Sequence, residues 1–171
     1  QQLPLEEVET PGTKTIEDVA AFLGIEKEQT MKALLFVTYD NDGEENGYVA
    51  AFVRGDRELN MTKLVNALDI PEHAIEFADE EQMSEVTGCV GGFTGPTKLH
   101  DCTIVVDSEL PGQKNLCAGA CRENYHLKNV NYGKCVRCGK TYEATPDLTN
   151  CSCGGILDII YDYDYIKSVL T

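Results

Sequence analysis

A glycine-rich stretch constrains the fold of this chain most. Residues Thr87 to Leu99 read TGCVGGFTGPTKL, with four glycines followed by Pro96. Glycine loses more backbone entropy on folding than any other residue, so four glycines this close together indicate positive φ angles or close approach to another group. Such a loop can present backbone N–H groups to an oxyanion, a phosphate or a carbonyl. A surface connection that binds nothing is the alternative that the composition leaves open.

Helix and strand signals on both sides of this loop predict an α+β domain. Thr15, followed by Asp18, has the spacing of a capping box and begins a helix that ends at Gly24. Asn60 and Asp79 are candidate N-caps of two further helices. Strands are predicted at residues 33–39, 48–54, 75–78, 103–107, 116–120 and 125–130. Because they do not alternate as βαβ units, we expect a mixed β-sheet with helices packed on it.

The net charge of −15 restricts the kinds of partner that the chain can have. It argues against a broad basic surface for DNA or RNA, although a pocket for one end of a nucleic acid remains compatible with it. No apolar run approaches the roughly 20 residues that span a bilayer. Eight cysteines without an export signal favour metal ligands and free thiols over disulfides. We therefore expect a cytoplasmic protein with no membrane and no DNA partner.

Four of the cysteines predict a small zinc module at residues 134–171. Cys135 and Cys138 form a CxxC, and Cys151 and Cys153 form a CxC twelve residues later. Two such pairs can converge on a tetrahedral Zn²⁺, whose binding stabilises a segment too short for a core of its own. Two disulfides or a redox dithiol are the alternatives. We expect a structural zinc ribbon that follows a domain of residues 1–133.

Five other polar residues are candidates for chemistry. Lys32 precedes an apolar strand, where its cation could hold a phosphate or a carbonyl. Asp107 ends the TIVVD strand, and His126 could donate a hydrogen bond or carry protons near neutral pH. Arg54 and Asn60 belong to a polar run that is equally a loop with a helix cap. Each also has an ordinary structural interpretation, and the sequence shows no Ser-His-Asp set, P-loop or metalloprotease motif.

The chain resembles the editing insertion domain of bacterial prolyl-tRNA synthetase, in the YbaK-like family of aminoacyl-tRNA deacylases. The segments that carry the resemblance occur in this order: TPGTKTIEDVAAFLG, TMKALLF, VAAFVRGDRELN, GGFTGP, TIVVD and NYHLKNVNYG. It runs from about Glu7 to Gly133 and implies the α+β fold of that family. It also implies hydrolysis of alanine mischarged on the tRNA for proline, with the acceptor end of the tRNA as partner. None of the aminoacylation core is present, so we expect no amino-acid activation.

The resemblance also implies roles for individual residues. Lys32, Asp107 and His126 match the pocket lysine, aspartate and histidine, and Lys32 is expected to engage the 3′ end of the tRNA. The implied reaction is attack by a water, helped by the tRNA's own 2′-OH, with no covalent intermediate and no catalytic cofactor. A pocket too small for proline would select alanine. Our candidates for substrate binding are Thr10, Arg54, Asn60 and the GxxxP loop formed by Gly92, Phe93, Thr94, Gly95 and Pro96.

Some cysteines depart from the pattern of that family. Cys121 stands where the family often has Asn, which could weaken a loop hydrogen bond near the pocket, and Cys89 and Cys117 are also unusual. The cysteine module resembles the zinc ribbon at the N-terminus of threonine synthase-like proteins, which implies a structural zinc or a protein-contact surface. The alternative function is therefore an inactive tRNA- or protein-binding module that keeps the editing-domain fold.

Overall fold

A computed structural model describes residues 1–89, 91–96, 99, 101–110 and 112–131 of the chain. The predicted zinc ribbon lies outside these described residues, together with Cys135, Cys138, Cys151 and Cys153. The proposed boundary between residues 133 and 134 lies outside them as well. Both therefore stay predictions.

The described residues form a mixed α+β fold, as the sequence predicts. The strands are β1 Glu6–Glu9, β2 Met31–Tyr39, β3 Glu45–Arg54, β4 Ile75–Phe77, β5 Cys102–Val106, β6 Leu116–Gly119 and β7 Tyr125–Val130. The α-helices are α1 Ile16–Leu23, α2 Met61–Leu68 and α3 Glu80–Thr87, and short 3-10 helices span Lys27–Gln29 and Glu72–Ala74. No helix in this part of the chain is long and apolar enough to cross a membrane.

The helices begin where the sequence predicts, because capping side chains satisfy their first N–H groups. The Thr15 hydroxyl accepts the N–H of Asp18 at 3.1 Å, and the Asp18 carboxylate accepts the N–H of Thr15 at 3.3 Å. Asn60 and Asp79 cap α2 and α3 in the same way. At the other end of α1, Gly24 has φ +66°, the left-handed conformation that terminates many helices.

The strands form two sheets that meet at the beginning of β2. The larger sheet has the order β4-β2-β3-β5, in which the predicted β2–β3 hairpin is central and β5 runs parallel to β3. The smaller sheet is antiparallel, with the order β1-β7-β6. A single parallel bridge between Thr30 and Cys117 brings the start of β2 beside β6. Lys32 is therefore placed at the junction of the two sheets.

Strand β1 was not predicted from the sequence. Its residues, EEVE, include three glutamates, which have low β-propensity. The strand forms because it pairs along its whole length with β7, where Val8 lies opposite His126. Tertiary pairing therefore overrides the local preference.

Strand β2 is buried on both of its faces. Leu35 belongs to an apolar cluster that joins the two sheets, with Phe52, Leu116 and Leu127 among its members. The next residue, Phe36, points to the opposite face and packs in a cluster that α2 covers. Alternating strand residues thus serve two separate core layers. This double burial fixes the register of β2 and with it the position of Lys32.

Candidate functional site

A cleft of about 250 Å³ opens where the two sheets meet. Its walls come from the start of α1, the start of β2, the glycine loop, β6 and β7. The lining residues are Lys14, Thr15, Ile16, Val19, Thr30, Met31, Lys32, Ala33, Gly92, Thr94, Cys117, Ala118, Gly119 and His126. Among these described residues there are two lysines and no carboxylate, although the chain as a whole carries a net charge of −15. The cleft is therefore suited to an anionic or strongly polar ligand.

His126 lies on β7 with its side chain almost fully buried in the wall of the cleft. Its Nδ1 is 2.6 Å from the hydroxyl of Thr10, which is itself completely buried. The N–H of Thr10 donates to the carbonyl of Asn124, and its carbonyl accepts the hydroxyl of Thr13 at 2.7 Å. This chain of bonds fixes the imidazole ring and leaves Nε2 as the nitrogen available to a ligand.

Burial also sets the charge of His126. Removal from water penalises the protonated ring, so the pKa of His126 is lowered from its ordinary value. The ring of Phe93 lies near it, with 5.7 Å between the two centroids, and contributes to the apolar surroundings. His126 is therefore neutral at physiological pH, in a form that can both accept and donate one hydrogen bond.

The glycine loop faces the cleft with its backbone. Gly92 and Thr94 line the cleft, and Gly92 adopts φ +91°, a conformation that side chains strongly disfavour. Within the described part of the chain, no acceptor receives the N–H of Gly92 or of Thr94. Two backbone donors are thus left for a ligand, as the sequence led us to expect of this loop.

The rest of the loop packs behind the cleft wall. Phe93, Gly95 and Pro96 are buried and do not line the cleft. Gly95 and Gly119 contact each other so closely that neither position has room for a Cβ. A Cβ at Gly119 would lie 2.5 Å from the carbonyl oxygen of Thr94, and closer still to that of Phe93. The loop therefore rests directly on the backbone of β6.

Cys121 holds this loop from the far side. Its N–H donates to the carbonyl of Phe93 at 2.8 Å. Its thiol sulfur accepts the N–H of Gly95 at 3.3 Å and lies 3.4 Å from the carbonyl oxygen of Gly95. Cysteine thus keeps contact with the loop, through the weak donor and acceptor that a thiol provides.

Two lysines line the cleft, and only one of them was identified from the sequence. Nζ of Lys32 lies 3.1 Å from a carboxylate oxygen of Glu58, whose side chain is 94% exposed. Because Glu58 is exposed although Lys32 is largely covered, this pair is weak and can be displaced by a stronger anion. Lys14 is exposed at the edge of the cleft. Its position, immediately before the N-cap of α1, was the signal that could have identified it.

Three of the residues predicted for the site lie elsewhere. Asp107 directly follows β5, where its carboxylate accepts the N–H of Glu109 at 2.9 Å and closes a turn. Arg54 pairs with the carboxylates of Asp56 and Glu109, and Asn60 caps α2. None of the three lines the cleft. Of the predicted catalytic residues, the structure brings Lys32 and His126 together in one cleft and leaves Asp107 outside it.

Cys117 belongs to the lining but does not have the properties of a nucleophile. Burial raises the pKa of its thiol to about 12, so the thiol stays protonated. Its neighbours on β6, Ala118 and Gly119, are small residues that leave the cleft open. The sequence signal for this wall was the small-residue run CAGAC.

Comparison with known proteins finds one family model and a set of related enzymes. Residues 10–133 match the family described as aminoacyl-tRNA editing domain. The proline–tRNA ligase of Thermoanaerobacter sp. (strain X514) is 46% identical over 135 residues, which are 78% of this chain and 23% of that protein. The corresponding ligase of Finegoldia magna is 44% identical over 133 residues, again 78% of this chain and 22% of the relative. The chain thus spans less than a quarter of the length of these curated relatives.

Solved structures agree on the fold. The crystal structure of a hypothetical protein is 28% identical, with a TM-score of 0.62 and coverage of 74% of this chain and 80% of the other. A second structure, described as a candidate trans-editing enzyme for prolyl tRNA synthetase, is 24% identical and also has a TM-score of 0.62. The matched region covers 74% of this chain and 76% of the chain in that structure. At that identity the likeness shows the fold alone.

Proposed function

This chain belongs to the aminoacyl-tRNA editing domain family, and from that membership we propose that it hydrolyses the ester bond of mischarged aminoacyl-tRNA, specifically alanine on the tRNA for proline. The family resemblance found in the sequence is confirmed, whereas the activity and the substrate are proposals. The observation that carries them is the cleft in which neutral His126, two backbone N–H donors and two lysines converge.

The size of the cleft supports a ligand of which only one end is enclosed. Pockets that enclose a whole drug-sized ligand have volumes of about 300–1,000 Å³, so a cleft of about 250 Å³ takes the aminoacyl group and part of the terminal ribose. Apolar side chains contribute much of its lining: Ile16, Val19, Met31, Ala33 and Ala118. A small apolar amino acid such as alanine suits this wall, and a larger ring is excluded by steric overlap.

The proposed reaction is direct attack by water on the ester carbonyl. A bond forms between the water oxygen and the carbonyl carbon, and the bond from that carbon to the ribose O3′ breaks. The proton that water loses reaches O3′ through the neighbouring 2′-OH, so that free alanine and a tRNA with an intact 3′ end are released. The protonated Cys117 thiol is a poor nucleophile, which supports a route without a covalent intermediate.

The protein would contribute orientation and charge stabilisation. Negative charge develops on the carbonyl oxygen as water attacks, and the N–H groups of Gly92 and Thr94, which line the cleft, would stabilise it. Nε2 of His126, held in place through Thr10, would hydrogen-bond to the substrate or to the attacking water. Lys32 would bind the tRNA 3′ end after exchanging its exposed partner Glu58 for a phosphate.

A deacylation assay tests this proposal. The protein is incubated with Ala-, Ser-, Cys- and Pro-tRNA, and release of the amino acid is followed over time. We expect alanine to be released fastest, and Lys32→Ala to reduce that rate to the level without enzyme. Lys114→Ala, an exposed lysine outside the cleft, is the matched control and should behave as wild type. Binding of tRNA without turnover by the wild-type protein would instead establish the inactive binding module.

A further inference from the structure

We propose that Lys14 is a second phosphate-binding residue of the cleft, and that it holds the phosphodiester on the 5′ side of the terminal nucleotide. This inference rests on the proposed function, because it assigns a further contact to the same tRNA end. It concerns a residue that the predicted site did not include, although it lies within the TPGTKT segment.

The charges around the cleft favour this role. Lys32 is already paired with Glu58, whereas the side chain of Lys14 makes no ion pair or hydrogen bond with any residue that the structure describes. Lys14 therefore adds an uncompensated positive charge to a lining without carboxylates. The chain as a whole carries a net charge of −15 and repels a polyanion, so a cleft with two lysines and no carboxylate is where a nucleic acid would be attracted.

The backbone of Lys14 is fixed although its side chain is exposed. Thr13 before it is buried and donates its hydroxyl to the carbonyl of Thr10, and Thr15 after it caps α1. The carbonyl of Lys14 also packs against Gly92, where a Cβ would lie 3.6 Å from that oxygen. The backbone of Lys14 is thus held between the segment that orients His126 and the loop that offers N–H donors.

The position of Lys14 matches the chemistry of a tRNA end. His126 and Cys117 are buried and form the inner wall, while Lys14 and Gly92 are exposed at the rim. In the terminal nucleotide, the ribose separates the ester at O3′ from the phosphodiester at O5′. With the ester against His126, that phosphodiester emerges at the rim, within the range of a flexible lysine side chain.

Kinetics on two substrates test this assignment. One substrate is Ala-tRNA for proline, and the other is 3′-alanyl-adenosine, which lacks every phosphate. For Lys14→Ala we expect KM for the tRNA to rise about fivefold at moderate salt, as for loss of an exposed ion pair, with kcat retained and a smaller effect on the nucleoside ester. The slope of log KM against log salt should fall by about 0.7, the value for one contact to single-stranded nucleic acid. Lys14→Arg should restore KM, Lys14→Glu should raise it further, and Lys114→Ala should match wild type.

Two outcomes would overturn the proposal. An equal loss on both substrates would indicate a structural role for Lys14, and an unchanged KM and salt slope for the tRNA would indicate no role. Binding of an uncharged RNA that ends in CCA, followed by fluorescence anisotropy, separates this inference from the proposed function. If the wild-type protein hydrolyses nothing but Lys14→Ala weakens RNA binding, only the hydrolytic function fails. If hydrolysis occurs and Lys14→Ala changes neither KM nor binding, only the inference about Lys14 fails.

Discussion

Adding a single methyl group at Gly119 should disable the cleft without altering any polar group in it. Gly119 lies on β6, and the glycine loop rests on its backbone. In Gly119→Ala the new Cβ would lie 2.5 Å from the carbonyl oxygen of Thr94, whereas ordinary contacts begin near 3.4 Å. The two backbone segments must therefore separate by about 0.9 Å to restore an ordinary contact with Thr94, and by more at Phe93. Since both sides of the contact are backbone, no side chain can rotate away to relieve it.

The expected cost follows from this displacement. Overpacking of a tight site destabilises a protein by about 1–3 kcal/mol. The hydrogen bond from the N–H of Cys121 to the carbonyl of Phe93, now 2.8 Å, would be stretched as well, at a cost of about 1 kcal/mol. A combined destabilisation of about 3 kcal/mol lowers the melting temperature of a chain this size by about 6–12 °C. A displacement near 1 Å in donors that face the reacting ester can lower the rate about 100-fold.

Thermal unfolding and deacylation kinetics measure the two effects separately. Gly91→Ala is the matched control, because a Cβ there would meet only the flexible end of Met83, 3.2 Å away. It adds the same methyl group, within the loop instead of on β6, at a position where the neighbouring Met83 side chain can move aside. We expect Gly91→Ala to keep the melting temperature within about 2 °C of wild type and to keep most of the activity.

Two results for these variants would refute the proposed role of the contact between the loop and β6. If Gly119→Ala deacylated Ala-tRNA as fast as wild type while fully folded, contact with β6 would not be what positions the loop donors. If Gly91→Ala and Gly119→Ala lost activity equally, the loss would reflect a general sensitivity of the loop. Only a large difference between the two variants supports backbone packing as the determinant.

The remaining predictions concern His126 and the cysteine module. Burial lowers the pKa of His126 from its ordinary 6.5, so the unfolded chain binds this proton more tightly than the folded chain does. The free energy of unfolding therefore has its full value above pH 6.5, and part of it is lost as the pH falls through the lowered pKa. The melting temperature of the wild type should therefore fall more steeply between about pH 7 and about pH 5 than that of His126→Asn, and parallel curves would contradict this. For the module that contains Cys135, Cys138, Cys151 and Cys153, elemental analysis should find about one zinc per chain, and a ratio near zero would contradict a zinc site.

Local signals in the sequence were sufficient for most of the secondary structure. Capping residues such as Thr15 and Asn60 act through bonds to residues three positions away, so their effect is visible in the sequence. Apolar β-branched runs such as TIVVD likewise indicate a buried strand wherever it is placed. Strand β1 could not be found in this way, since its EEVE sequence is stabilised by pairing with a strand more than a hundred residues later.

The site was harder to predict because its walls are distant in sequence. The motif order identified Lys32, His126, Gly92 and Thr94, all of which line the cleft. Asp107 directly follows β5, close to where the sequence predicts, but the sequence does not reveal that its carboxylate closes a turn outside the cleft. Lys14 and Gly119 lie in the segments TPGTKT and CAGAC, but neither segment indicates that these residues line the cleft. Their importance depends on which backbone segments approach each other, and only three-dimensional packing determines that.

The pairing of β1 with β7 has a consequence for how this domain could be inserted into a longer protein. Glu6 lies opposite Lys128, so the described part of the chain has its first and last strands side by side and antiparallel. Strands paired in this way are separated by about 5 Å, and a host protein needs to open one of its own loops by only that width to accept the domain. The same two-stranded stem would let the domain be excised, or its ends joined by a short linker and new ends made elsewhere, without disturbing the cleft. The EEVE segment thus brings the start of the described fold beside its last described strand.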